Sequence, residues 1–236
     1  MTQLGFPHTL AQHQVGAILN AFEFFFSFYG LVLGLSVAVT ATGLATAIQH
    51  RKKIQIGWLT PLLALFVCLD IASFWTNAWV TLQHLPVSYG LFAASMVVAL
   101  TYFIACSLVF PHQIEDGDRL DDHFWANKRI VLGLMIVATV LGCVINIVGN
   151  LGDAARRIHV FDQVISIFIY CLLIAPAALT RRKWLFAALI GLHMFLYVVE
   201  GAVTAFLPEP QVLGDAAPIS PNPASDGGAR NSQPLA

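Results

Sequence analysis

Six apolar stretches, each long enough to cross a bilayer and the first longer than that needs, constrain this chain more than any other feature. They run over 15–48, 57–82, 87–110, 130–148, 160–179 and 184–207. A hydrocarbon core about 30 Å thick takes about 20 apolar residues as a helix. Inside lipid, backbone polar groups find no water, so a segment of this length must satisfy them within its own helix. The sequence therefore predicts an all-α polytopic integral membrane protein, a bundle of six transmembrane helices. Composition agrees. Apolar residues make up 58% of the 236 positions and charged residues 11%, against about 25% charged in a soluble domain. That balance excludes a cytosolic enzyme and a secreted disulfide scaffold. A formal net charge of −1 gives no basic footprint for nucleic acid.

The chain reads as three parts: an N-terminal extramembrane segment, 1–14, the membrane domain, 15–207, and a tail, 208–236. The first apolar stretch reads as a span and not as a cleaved signal peptide, because no basic start precedes it and it is too long. The tail carries Pro208, Pro210, Pro218, Pro221, Pro223 and Pro234 among small polar residues. It lacks the apolar residues to bury a core, so disorder is expected there.

Basic residues set the expected orientation. Arg51, Lys52 and Lys53 lie between spans one and two, Arg119, Lys128 and Arg129 between three and four, and Arg181, Arg182 and Lys183 between five and six. The other side holds only Arg156, Arg157 and Arg230. By the positive-inside rule both termini face away from the cytoplasm. Trp58 and Trp184 each follow a basic loop, as interface anchors do. No N-x-S/T sequon occurs, which fits a bacterial inner membrane. Cys68, Cys106, Cys143 and Cys171 sit in four different spans and read as small packing residues, not disulfide partners. Between spans three and four, residues 112–127 are acidic, with Leu120, Phe124 and Trp125 forming a short apolar face expected to lie on the membrane.

An ionised side chain at mid-membrane costs about 2.5–3.5 kcal/mol on insertion scales, so intramembrane polar residues carry the functional information. Asp70 lies mid-span, and Ser73, Asn77 and Thr81 follow on the same helical face. Span six repeats the pattern with His193, Tyr197, Glu200 and Thr204. Span four adds Thr139, Asn146 and Asn150, span five Asp162, Gln163 and Ser166, and span one Glu23 and Ser27. The candidate set for proton or ion handling is Asp70, Asn77, His193, Tyr197, Glu200, Glu23 and Asn146, with Asp70 and His193 as the central pair. The competing reading is interhelical glue, at about 0.6 kcal/mol per contact, with Ser73, Thr81 and Ser166 assigned to it. Gly30 and Gly34 form a small-xxx-small pair where another helix packs closely.

Several chemistries are disfavoured. The four lysines, Lys52, Lys53, Lys128 and Lys183, all lie at span boundaries, which excludes a retinal Schiff base. His193 is the single mid-membrane histidine, where a b-type haem needs two axial ligands. No HExxH, Walker or G-x-S-x-G pattern occurs. No cofactor and no metal are expected, and no catalytic residue is assigned. The first functional reading is a non-catalytic sensor or assembly subunit, in contact with the lipid bilayer and with a second copy or another membrane protein as partner. The alternative is a proton, ion or small-polar-solute transporter built around Asp70, His193 and Glu200. A second alternative is an intramembrane metal-dependent hydrolase.

Overall fold

The computed structural model describes residues 8–83, 85, 88–111, 113, 117, 119–150 and 157–206, with side chains from Phe22 onward, apart from 157–160 and Thr204. The tail 208–236 and the segment around Arg156 lie outside the described residues. Six helices follow one another: α1 His8–Gln49, α2 Leu59–Leu82, α3 Tyr89–Ser107, α4 Leu120–Asn150, α5 Arg157–Leu179 and α6 Lys183–Phe206. Each is long and apolar enough to cross a membrane. Among the described residues no strand occurs; Gln55 and Arg119 form an isolated bridge. The chain divides into two compact units, Met1–Val199 and Glu200–Ala236. In the second unit the described residues form the last turns of α6.

Within the first unit, α3 packs on α1 and α4, α4 on α5 and α2, and α1 on α2. Large apolar side chains stay exposed along the helices, among them Phe24, Leu31, Leu35, Phe168, Leu172 and Phe195. Water would not tolerate so much apolar surface, whereas a lipid solvent does. An aromatic layer joins α1 to α2 and α3. Phe26 lies 4.3 Å from the Trp75 ring and 4.8 Å from Trp79, and Phe25 meets Phe92 edge-on at 5.9 Å.

Only half of the small-residue pair does what its spacing suggests. A Cβ at Gly30 would collide with the Trp75 ring, whereas Gly34 faces open space. Gly30→Ala should therefore destabilise the protein by about 1–3 kcal/mol through overpacking. Gly34→Ala should be neutral or better, because alanine favours the helix by about 0.8–1.0 kcal/mol. Unfolding of both variants in detergent tests this; equal behaviour would show that close approach is not the role of Gly30.

Helix α4 begins ten residues before the expected span, at Leu120. Leu120 and Phe124 do not lie on a membrane surface. Both are buried, and Phe124 packs edge-on against Phe186 of α6 at 4.9 Å. The reason is register: Leu120, Phe124, Lys128, Val131 and Met135 share one face and continue the core stripe. Lys128 is carried inward with them and is 1% exposed.

The three basic connections meet at one end of the bundle. Gly117 N–H donates to the Lys53 carbonyl at 3.0 Å and Leu120 N–H to that of Gln55 at 3.2 Å. Lys183 Nζ pairs with Asp121 at 3.2 Å, and the rings of Trp58 and Trp184 lie 5.9 Å apart.

Candidate functional site

Asp70 is 2% exposed, in the middle of α2. An isolated carboxylate there would be prohibitively costly, so its partners decide what it is. Both oxygens are engaged. Tyr102 of α3 donates its hydroxyl to Oδ2 at 3.0 Å, and Tyr197 of α6 donates to Oδ1 at 2.6 Å. The Tyr102 hydroxyl also lies 3.2 Å from Thr139 Oγ1 on α4. A third ring, Tyr170 of α5, faces the same carboxylate, but its hydroxyl is buried and falls short of hydrogen-bonding geometry. One acid thus gathers side chains from every helix but α1. Buried tyrosine suits this role, since the ring packs like any apolar group while the hydroxyl needs one partner.

His193 lies beside this centre without bonding to it. Its ring is caged edge-on by Tyr197 at 4.6 Å, Tyr170 at 5.1 Å and Phe66 at 5.8 Å. Neither ring nitrogen has a hydrogen-bond partner. The expected direct pairing of Asp70 with His193 is not formed; Tyr197 stands between them, with its hydroxyl on Asp70 and its ring on His193.

The remaining candidates disperse. Asn146 donates to Gln163 of α5 and accepts from Asn150, a separate polar joint between α4 and α5. Glu23, Asn77 and Glu200 are exposed. The polar stripe on α2 is therefore buried at Asp70 and open at Asn77. Two of the hydroxyls assigned to interhelical glue bond within their own helices instead: Thr81 to the Asn77 carbonyl and Ser166 to that of Asp162. A hydroxyl four residues after a carbonyl reaches it without any partner helix, so the spacing alone satisfies it.

Tyr102 and Tyr170 are the members of the centre that sequence inspection passes over. Their signal was present: Tyr102, Tyr170 and Tyr197, three of the five tyrosines in the chain, surround Asp70. Among the described residues no group of three His, Cys, Asp or Glu side chains is placed to hold a metal ion, and the four cysteines are free. Compared with known proteins, the chain matches no family model, no curated protein and no solved structure.

Proposed function

We propose that this chain is a non-catalytic membrane protein, a sensor or assembly subunit, whose Asp70 centre organises the helices. The observation that supports this is the sealed position of Asp70 with both oxygens occupied by tyrosine hydroxyls. A transport site needs a path for its cargo, and a hydrolytic site needs an accessible nucleophile; a carboxylate spent on two tyrosines offers neither. The test is flux of protons and monovalent cations in proteoliposomes carrying the wild type and Asp70→Asn. No Asp70-dependent flux is expected. A flux that the substitution abolishes in a correctly folded protein rejects the reading.

A second reading, proton handling, draws on one specific observation. The Tyr170 hydroxyl, which faces the carboxylate, and both nitrogens of His193, whose ring packs on Tyr170 and Tyr197, are buried without hydrogen-bond partners. Buried polar groups are nearly always paired, and unpaired ones concentrate where a protein does work. In this reading Asp70, Tyr197 and His193 form the relay. The same flux assay separates the two, with His193→Phe as a second variant that preserves the aromatic cage.

The proposed setting is a bacterial inner membrane with the basic end in the cytoplasm and both termini outside. The clustering of the three basic connections supports one charged end. In a background without native cysteines, Lys52→Cys and Arg182→Cys should react with an impermeant maleimide only after the membrane is breached. Tyr89→Cys, at the opposite end of α3, should react in intact cells. The reverse pattern inverts the topology.

A further inference from the structure

At the basic end, Arg182, Lys183, Trp184 and Leu185 line a surface cavity of about 680 Å³. Two cations sit directly beside two apolar side chains, and both Trp184 and Leu185 are exposed. Trp184, 83% exposed, leans its ring on that of Trp58, the residue before α2, at 42°. The two rings make a small aromatic wall at the basic end of the bundle, the arrangement of an interface anchor.

The two cations are not equivalent. Lys183 Nζ is held by Asp121 at 3.2 Å. Asp121 itself is fixed by close packing, because its carboxylate occupies the space a Cβ at position 57 would need. Lys183 therefore neutralises a carboxylate of the protein, whereas the Arg182 side chain is exposed. Its backbone is braced as well: Arg182 N–H donates to Thr180 Oγ1 at 3.2 Å, and its carbonyl accepts from Phe186 N–H at 3.0 Å. A guanidinium on a fixed backbone presents a planar fork suited to phosphate oxygens.

We propose that this cavity binds an anionic phospholipid, with the headgroup phosphate on Arg182 and the upper acyl segment against Trp184, Trp58 and Leu185. A lipid is the one occupant that meets both halves of the lining. A soluble anion has no use for the apolar half, and a neutral lipid leaves the charge of Arg182 unmatched. The site also lies where anionic headgroups are concentrated whenever the basic end faces the cytoplasmic leaflet.

The experiment is native mass spectrometry of the full chain released from detergent, with phosphatidylglycerol, phosphatidylcholine and inorganic phosphate as probes. The wild type is expected to retain one phosphatidylglycerol about tenfold more tightly than phosphatidylcholine, with inorganic phosphate unable to displace it. Arg182→Gln should lower that retention about fivefold, the weight of one basic side chain at an anionic surface. Arg182→Lys should recover part of it, and Trp184→Ala should weaken both lipids alike. Lys52→Gln, at the same end but outside the cavity, should change little. Three results overturn the proposal: equal retention of the two lipids, an equal loss in Lys52→Gln, or displacement by inorganic phosphate. The first removes headgroup selection, the second reduces the site to a diffuse basic face, and the third makes the ligand a free anion. Arg182 and Trp184 are exposed, and an unchanged melting temperature in lipid-free detergent separates lost binding from lost folding.

Discussion

Asp70→Leu is expected to destabilise the protein by about 2–6 kcal/mol, the sum of taking the carboxylate acceptor from two tyrosine hydroxyls at about 1–3 kcal/mol each. The loss falls unevenly. Tyr102 keeps Thr139 as a fallback at 3.2 Å, while Tyr197 loses the 2.6 Å bond that ties α6 to α2. Asp70→Asn should cost within about 1 kcal/mol. Its amide oxygen accepts from one tyrosine, and its N–H donates to the hydroxyl oxygen of the other. The measurement is reversible unfolding in mixed micelles, with Tyr197→Phe and the Asp70→Leu, Tyr197→Phe double variant completing a cycle. A coupling of about 0.5–3 kcal/mol is expected for groups in direct contact. If Asp70→Leu is as stable as the wild type, the acid does not organise the bundle, and the non-catalytic reading loses its support.

Lys128→Met should cost about 1.5–3 kcal/mol, the range for hydrogen bonds made by a charged group. The lysine lies buried on α4 and donates to the carbonyls of Ala177, at 3.1 Å, and of Thr180, where α5 ends. The last carbonyls of a helix have no partner within it, and a cation there also meets the negative end of the helix dipole. The end of α5 at Leu179 and the break before α6 leave these carbonyls dependent on another element. Desolvating the ammonium opposes the gain, but its Nζ also stands over the rings of Trp125 at 4.5 Å and Phe186 at 5.4 Å, contacts worth about 0.5–2 kcal/mol. Methionine keeps the stem and removes the charge with its donors, so thermal unfolding of Lys128→Met reads the hydrogen bonds and the ring contacts together. A melting temperature unchanged or raised would mean that desolvation outweighs them.

These two residues show where sequence reading stops. Asp70 stood out because a charged side chain in the middle of an apolar span has a large, sign-definite cost that needs no knowledge of neighbours. Its partners did not stand out. Tyr102 and Tyr170 carry apolar rings that belong in a span, and their hydroxyls acquire meaning only from a carboxylate on another helix. Lys128 looked like one more loop cation because it lies next to Arg129; the register of α4 turned one of the pair inward and left the other exposed. Gly30 and Gly34 have the same spacing motif, yet only one meets a tryptophan.

The sequence by itself determined the all-helical class, the number of apolar spans and the gathering of cations at one end. All of these follow from local transfer free energies, which add up residue by residue along the chain. The tertiary structure alone decided which polar groups meet. It bonded Asp70 to tyrosines, left His193 among rings, spent Asn146 on Gln163 and left Asn77 exposed. In lipid every apolar helix face is nearly equivalent, so helix rotation and neighbour choice depend on a few polar and steric contacts between distant segments. Such contacts leave no periodic mark on the segments that make them.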